Sequence, residues 1–242
     1  MKQSIFTITE NVPLTESVYK MTLSGDTSDI TAPGQFVNIK LDGLYLRRPI
    51  SVCDSKDGIL TLVYKVVGKG TEKMAEMKEG SLDILTGLGN GYDLSKSGDT
   101  PLLIGGGVGV PPLYMLAKKL IAEGKKVTVI LGFNKADEFF YEHEFKDLGA
   151  KVYVTTVDGS KGIKGFVTDA MKELLYSYIY TCGPEPMLKA IFAEAKTSGQ
   201  FSFEERMGCG FGACMGCSCK TVTGYKRICK DGPVLEKEEI LW

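Results

Sequence analysis

The sequence contains one histidine, one tryptophan and a net charge of only −1 over its 242 residues. The lone histidine, His143, lies in an acidic stretch that we expect to be a surface helix. No Cys/His pair and no Gly-x-Ser-x-Gly motif stands out, so hydrolytic and acid–base catalysis have no recognisable apparatus. The near-neutral charge gives no electrostatic basis for binding nucleic acid or an acidic membrane surface.

Long apolar runs are also missing. No stretch approaches the roughly 18 apolar residues that a membrane-spanning helix needs. The N-terminal residues lack the apolar core of a secretory signal. The seven cysteines are an odd number and four of them lie in one motif, which suits a reducing compartment better than a disulfide framework. These absences predict a cytoplasmic protein that binds neither membrane nor nucleic acid.

The cysteine motif near the C-terminus is the most informative feature that is present. Cys209, Cys214 and Cys217 have the C-x4-C-x2-C spacing of plant-type 2Fe-2S clusters, in which a more distant fourth thiolate completes the set. Cys229 is the best candidate for that fourth ligand. Glycines at 208, 210, 212 and 216 would let backbone N–H groups approach the sulfurs and tune the cluster potential.

Two alternatives to this assignment stay open. A structural zinc site also uses four thiolates, but a second C-x2-C pair is missing and the glycine-rich loop is not typical of zinc ribbons. Cys219 could replace Cys229 as a ligand. If the segment after Cys217 is extended, however, Cys217 and Cys219 would point to opposite sides of the chain.

The pattern of apolar residues divides the chain into three parts. Residues 1–97 show short alternating strands with turn residues between them, which predicts a small antiparallel β barrel interrupted by one helix from Thr71 to Lys78. Residues 98–199 alternate strands with helices, which predicts a doubly wound parallel sheet. After Gly199 the periodicity is lost, and residues 200–242 are expected to form a small cluster-binding segment with a charged tail.

The helices and strands expected in the second part are as follows. The strands are predicted at 102–104, 126–131, 151–156 and 177–181, and the helices at 113–122, 136–148, 167–175 and 185–196. Glycine turns follow two of these strands, at 105–109 and 182–184. Ligands of open α/β sheets bind outside the carboxyl ends of the strands, so the two turns favour a nucleotide crevice. The first turn is not a full G-x-G-x-x-G motif, and a plain strand-to-helix turn remains the alternative.

A flavin signature occurs in the β-rich part. The stretch of Arg48, Pro49, Ile50 and Ser51 resembles the R-P-x-S motif of the ferredoxin-reductase superfamily. This resemblance implies that Arg48 faces the flavin phosphates and that Ser51 lies beside the isoalloxazine N5. A second segment, containing Val66, Gly68, Gly70 and Thr71, resembles the part of the family that holds the FAD pyrophosphate. Both expectations agree with chemistry, because an arginine fork matches phosphate oxygens and a helix N-terminus favours anions.

Taken in order, these motifs make essentially the whole chain similar to the electron-transfer subunits of NAD-dependent, B-type dihydroorotate dehydrogenases. The family implies FAD, a 2Fe-2S cluster and NAD as cofactors, with Gly105, Gly107 and Gly109 in the NAD loop. Cys182 would lie near the nicotinamide, or equally serve as a packing residue. The resemblance further implies an FMN-containing catalytic partner that oxidises dihydroorotate to orotate in pyrimidine biosynthesis, in a heterotetramer of two plus two subunits.

Several readings of this resemblance remain to be separated. The same first two hundred residues would suit the flavin subunit of a ferredoxin:NADP oxidoreductase or of a sulfhydrogenase. A redox-sensing or zinc-stabilised interaction protein without turnover is a hypothesis from a different class.

NADH is favoured over NADPH because Asp137 and Glu138 would repel a 2′-phosphate, although Lys135 would attract one. The apolar residues Met207, Phe211 and Met215 could form a docking surface or pack the cluster against the body.

Overall fold

The N-terminal part of the chain is a closed antiparallel barrel in the computed structural model, which describes all residues 1–242. Its elements are β1 (Lys2–Pro13), β2 (Val18–Ser24), β3 (Phe36–Ile39), β4 (Arg48–Lys56), β5 (Ile59–Lys65), α1 (Lys69–Glu76) and β6 (Ser81–Leu88). The strands follow the order β1-β2-β5-β4-β3-β6 around the barrel. Burial alternates strictly along β6, so each second side chain fills the barrel interior. The predicted barrel is confirmed.

A seven-stranded sheet forms the second part. Its elements up to the C-terminal segment are β7 (Leu102–Gly106), α2 (Pro112–Ala122), β8 (Thr128–Phe133), α3 (Glu142–Asp147), β9 (Lys151–Thr156), β10 (Ile163–Lys164), α4 (Val167–Met171), β11 (Ile179–Cys182), α5 (Glu185–Glu194) and β12 (Gly199–Ser202). The C-terminal segment adds β13 (Ser218–Thr221), β14 (Gly224–Arg227), α6 (Ile228–Asp231) and β15 (Val234–Glu236). The sheet order is β10-β9-β8-β7-β11-β12-β15, with only the last pair antiparallel.

Helices cover both faces of this sheet. Leu103 of β7 joins one apolar core with residues of α2 and α3. Its neighbours Leu102 and Ile104 join a different core with residues of α4 and α5. Successive residues of one strand therefore pack on opposite faces, which explains why the strand is apolar throughout. The predicted doubly wound sheet is confirmed.

The single helix predicted over residues 136–148 is wrong. The chain forms a short 3-10 turn at Ala136–Glu138 and then the separate helix α3. Between them Tyr141 has φ of 70°, a conformation that interrupts a right-handed helix. Phe140 and Tyr141 are both buried and both contact the aromatic core around Phe133 and Phe145. Consecutive residues of a helix cannot share one face, so burying both aromatics requires the break.

Smaller differences concern the ends of other elements. Helix α4 ends at Met171 rather than 175, α5 at Glu194 rather than 196, and α1 begins at Lys69 rather than Thr71. Strand β8 starts two residues later than expected and extends to Phe133, whereas β9 has the expected bounds. Helix ends are the least specified part of a periodic pattern, because a few residues of amphipathic sequence cannot compete with tertiary contacts.

The C-terminal segment is more regular than its sequence indicates. Strand β12 continues the parallel sheet and β15 returns antiparallel beside it, so the predicted boundary at residue 199 falls inside a sheet. Burial opposes ionisation of Glu236 on β15, but bonds from Lys96, Gln200 and Tyr178 outweigh it and lower the pKa of that carboxyl. Strands of three and four residues are too short for periodicity to reveal them.

The barrel and the sheet domain are joined by buried contacts. Cys53 of β4 contacts the hydroxyl of Tyr141 at 3.2 Å, and burial raises the pKa of this thiol to about 12. Lys118 of α2 pairs with Asp54 of β4 at 2.6 Å. Helix α2, the longest at 11 residues, falls well short of a bilayer span, and no other helix has the length and hydrophobicity required. The two domains therefore hold a defined orientation.

We predict that Leu235→Ala on β15 lowers the free energy of unfolding by about 2–5 kcal/mol, because a buried leucine is lost from the core. Leu235 is 2% exposed, whereas Leu241, six positions later, is 48% exposed and supplies a matched control. Urea denaturation followed by circular dichroism measures both variants. Equal losses for Leu235→Ala and Leu241→Ala would contradict the packing of β15 into the sheet.

Candidate cofactor sites

The two arginines that begin the flavin signature have different surroundings. The guanidinium of Arg47 is held by Asp83, through a 2.9 Å ion pair and a 3.0 Å bond to the Asp83 carbonyl. Arg48 instead bonds only the nearby carbonyl of Leu46 and borders a cavity of about 170 Å³. The cavity is lined by Arg48, Val67, Gly68, Lys69, Gly70 and Thr71. The structure thus brings the first flavin segment against the second, with Arg48 as the arginine that is available to a phosphate.

The second flavin segment is shaped to let this arginine approach. A Cβ on Gly70 would lie 2.1 Å from Arg48 Nε, so a larger residue there would displace this guanidinium. Thr71 lies inside α1, which begins at Lys69. Its hydroxyl accepts the N–H groups of Val67 and Gly68, at 2.9 and 3.3 Å, and so fixes the turn. Val66 lies outside the cavity, with its N–H bonded to the Ser17 carbonyl.

The two glycine turns of the sheet domain lie side by side. β7 and β11 are adjacent and parallel, with Gly105 opposite Cys182 in the register. Strand order changes direction between them, because β8 follows on one side of β7 and β11 on the other. This is the topological switch point at which open α/β sheets bind nucleotides. The sequence alone placed a glycine turn after each strand, and the topology makes the two into one crevice.

The three loop glycines serve different purposes. A Cβ on Gly109 would lie 2.2 Å from the Cys182 carbonyl, and one on Gly105 would lie 2.8 Å from Val110 Cα, so these glycines allow the turns to pack together. Gly107 has φ of 52° and nothing within 4 Å of the position of a Cβ. It therefore leaves open space at the crevice, where a ligand could approach the backbone.

Cys182 is half-buried at the end of β11. Burial raises the pKa of this thiol to about 12 and outweighs a hydrogen bond with Ser202, which lowers the pKa. At neutral pH the group is a neutral thiol, so it is suited to packing or to neutral contact and not to nucleophilic attack.

The cluster segment forms a tight loop whose backbone N–H groups point at sulfur. Cys209 Sγ accepts from Ala213 and Cys214 at 3.3 and 3.4 Å, and Cys214 Sγ accepts from Cys209 and Gly216 at 3.5 Å. Gly210 and Gly212 have φ of 79° and 91°, values that favour glycine. The loop geometry is that expected from its glycines, and it would favour thiolates over thiols.

The four motif cysteines associate in two pairs. Cys209 and Cys214 bond each other's backbone, while the N–H of Cys229 donates to Cys217 Sγ at 3.4 Å. Cys219 lies on β13, half-buried, and forms no hydrogen bond with another cysteine. No three His, Cys, Asp or Glu side chains gather closely enough to hold a single metal ion. Four thiolates with backbone N–H groups aimed at their sulfurs are the donor set that a 2Fe-2S cluster takes.

The pKa values of Cys209 and Cys229 are shifted in opposite directions. Burial opposes ionisation of Cys209, but N–H groups of Phe211, Cys214 and Ala213 and the neighbouring thiol outweigh it and lower its pKa to about 6. Burial, with the Cys217 thiol next to it, raises the pKa of Cys229 to about 12. Cys217 and Cys229 lie in an apolar core that also contains Phe36 of β3. The outer pair, Cys209 and Cys214, is thus partly exposed, whereas the inner pair, Cys217 and Cys229, is buried.

The apolar residues of the cluster segment are divided between these environments. Met207 is half-buried against the same core as Cys217. Phe211 and Met215 are 41% and 54% exposed. The packing alternative therefore fits Met207, and the surface alternative fits Phe211 and Met215. Sequence reasoning missed Asn38 of β3, whose Nδ2 donates to the Cys209 carbonyl at 3.2 Å. A single asparagine in a strand carries no local signal of such a contact.

Comparison with known families matches two regions of the chain. Residues 204–241 match the iron-sulfur cluster binding domain of dihydroorotate dehydrogenase B. Residues 103–192 match the oxidoreductase NAD-binding domain. The first region contains all four motif cysteines, and the second contains both glycine turns.

Relatives and solved structures match nearly the whole chain. The dihydroorotate dehydrogenase B (NAD+) electron transfer subunit of Fusobacterium nucleatum is 47% identical, over 97% of this chain and 96% of its own. That of Geobacillus sp. strain WCH70 is 44% identical, over 100% and 99%. A solved NADH-dependent reduced ferredoxin-NADP oxidoreductase is 33% identical with a TM-score of 0.90, covering 98% of this chain and 90% of that chain.

We predict that Arg48→Ala raises the Kd for FAD about 10- to 150-fold, because a charge-assisted phosphate contact contributes about 1.5–3 kcal/mol. The neighbouring Arg47→Ala is the matched control, since Asp83 already occupies that guanidinium. Titration of the apoprotein with FAD, followed by flavin fluorescence, measures both constants. An unchanged Kd in Arg48→Ala would show that this arginine does not face the phosphates.

Proposed function

The chain belongs to the electron transfer subunits of NAD-dependent dihydroorotate dehydrogenase B, and we propose that it carries electrons between a catalytic partner subunit and NAD through a 2Fe-2S cluster and FAD. When bound, the nicotinamide exchanges electrons in pairs, the cluster exchanges them singly, and the flavin does both. The role of this chain is then to bind the three groups in series and to keep water and side reactions away from them.

FAD is assigned to the face of the barrel that carries the cavity between Arg48 and the start of α1. The Arg48 guanidinium would hold the pyrophosphate, together with backbone N–H groups from Lys69 to Thr71 at the start of α1. Pro49, Ile50 and Ser51 would border the ring system, with the Ser51 hydroxyl as a hydrogen-bonding partner of a ring nitrogen. Val66 would act only by positioning the turn that follows it.

NAD is assigned to the crevice at the switch point, beside Gly105, Gly107, Gly109 and Cys182. Lys135, the cation that could attract a 2′-phosphate, is paired with Asp137 at 2.7 Å. Glu138 accepts a hydrogen bond from the side chain of Asn134 at 2.9 Å, so the negative charge of Glu138 also lies near Lys135. The net surroundings are therefore acidic, and they favour a ribose hydroxyl over a phosphate.

The cluster would be held by the thiolates of Cys209, Cys214, Cys217 and Cys229. N–H bonds to the sulfurs stabilise negative charge on the cluster and so raise its potential. The glycine loop supplies these bonds without side chains that would crowd the sulfurs.

One observation carries the proposal: Asn38 of β3 donates to the carbonyl of Cys209 at 3.2 Å, and Asn38 lies opposite Pro49 in the β3–β4 register. The cluster segment therefore touches the very strand pair that bears the flavin signature. A cluster bound there would be next to a flavin bound at Ser51, as sequential electron transfer requires.

The catalytic partner is expected to carry FMN and to oxidise dihydroorotate to orotate, in an assembly of two plus two subunits in the cytoplasm. Phe211 and Met215, exposed beside the outer cysteine pair, would contribute to the surface that this partner covers. Electrons from the partner would then reach the cluster before the flavin.

The function is tested with anaerobically purified protein. We expect a yellow-brown sample containing two irons and one FAD per chain. The isolated chain should oxidise NADH by reducing its own FAD. Reduction of NAD by dihydroorotate should require an added FMN-containing dihydroorotate dehydrogenase subunit. Zinc without flavin would exclude electron transfer. Activity with ferredoxin or sulfide, and none with dihydroorotate and the partner, would assign the chain to the related reductases instead.

We predict that Cys214→Ser abolishes iron binding but leaves FAD bound and reducible by NADH, because the cluster and the FAD groove use different residues. Iron analysis and anaerobic stopped-flow absorbance measure the two properties. Cys219→Ser is the matched control and should retain both irons. Loss of FAD reduction by NADH in Cys214→Ser would contradict the separation of the sites.

A further inference from the structure

Asn38 is the one residue with a buried side-chain polar atom that has no hydrogen-bond partner within the protein. The residue is 1% exposed, and its Oδ1 is the unpaired atom. The orientation of the amide is set by the Cys209 carbonyl, which can only accept and therefore faces the nitrogen. An unpaired buried amide oxygen costs about 1–3 kcal/mol, so the native site should supply it with a donor.

The direction in which Asn38 points follows from the alternation of β3. Val37 and Ile39 lie in the apolar interior of the barrel. Phe36 lies outside it, in the core that contains Cys217 and Cys229. Because successive side chains of a strand point to opposite faces, Asn38 shares the outer face with Phe36.

The same outer face carries part of the flavin signature. In the antiparallel β3–β4 register, Phe36 is opposite Ser51 and Asn38 is opposite Pro49. Paired residues of antiparallel strands project to the same face, so Ser51 is the diagonal neighbour of Asn38, with Cα atoms about 7–8 Å apart. That distance is within the span of a flavin ring system bound alongside the strand pair.

On its other side Asn38 contacts the cluster loop. Its Nδ2 bonds the carbonyl of the cluster residue Cys209, and a Cβ on Gly210 would come within 2.3 Å of the same nitrogen. The Arg47 guanidinium donates to the Asn38 backbone carbonyl at 3.3 Å, which helps to fix this part of β3. Asn38 is thus the barrel side chain that joins the flavin face to the cluster loop.

Resting on the proposed function, we infer that Asn38 is a positioning residue that sets the cluster loop against the flavin: its Nδ2 holds the Cys209 carbonyl, and its Oδ1 accepts a hydrogen bond from a ring N–H of the isoalloxazine. One amide thereby touches both redox sites. Displacement of the cluster loop then alters the hydrogen bond to the flavin ring, and a change at the ring alters the hydrogen bond to Cys209.

The first test replaces the amide with an apolar side chain of similar size. Asn38→Leu should raise the Kd for FAD about three- to tenfold, the range expected for one hydrogen bond. It should also shift the visible absorption bands of bound FAD and change the electron paramagnetic resonance line shape of the reduced cluster. Asn90→Leu is the matched control, because Asn90 likewise joins the barrel to the C-terminal segment, through Val234, but away from Cys209.

The second test approaches the contact from the cluster side and does not depend on Asn38→Leu folding. Gly210→Ala and Gly224→Ala both place a Cβ at a left-handed glycine of the C-terminal segment. A Cβ at Gly210 lies 2.3 Å from Asn38 Nδ2, whereas a Cβ at Gly224 meets nothing within 4 Å. We expect Gly210→Ala to shift the flavin bands and Gly224→Ala to leave them unchanged.

These outcomes separate the inference from the function on which it rests. Wild-type protein that binds no FAD would overturn both. FAD bound with the same Kd and the same bands in wild type and Asn38→Leu, or in Gly210→Ala, would overturn the role of Asn38 alone. A change confined to the cluster spectrum would show that the amide only anchors the loop.

Discussion

The packing of the inner cysteine pair against the barrel is the contact on which the rest of the arrangement depends. Cys217 and Cys229 are buried with Phe36 in one apolar core. A cluster bound at these sulfurs is therefore excluded from water on the side facing the flavin strands, which influences its potential. If the segment were free of the barrel, the chain would still contain three binding motifs but no route between them.

Two sets of contacts hold the C-terminal segment in that position. Strand β15 adds to the edge of the parallel sheet beside β12, and its Glu236 is bonded from three directions by Lys96, Gln200 and Tyr178. Nearer the cluster, the amide of Asn38 holds the loop at the Cys209 carbonyl. The first contact is a generic extension of a sheet, whereas the second is specific to the place where cluster and flavin meet.

Glycine has a different physical purpose in each cofactor segment. At Gly70 it leaves room for the side chain of Arg48, and at Gly109 it lets two turns of neighbouring strands touch. In the cluster loop, Gly210 and Gly212 adopt left-handed conformations that aim N–H groups at sulfur. Similar composition thus supports anion binding, close backbone packing and thiolate stabilisation, and only the contacts tell these roles apart.

The sequence by itself determined the cofactor class and the two fold types. Spacing of ligands such as Cys209 and Cys214 is a local property, and so are the strand and helix periods, so both can be recognised without coordinates. Only the tertiary structure decided that Arg48 borders a cavity while Arg47 is held by Asp83, that the N–H of Cys229 donates to Cys217 Sγ, and that Asn38 reaches the Cys209 carbonyl. Each of these depends on contacts between residues far apart in the chain, which no local pattern encodes.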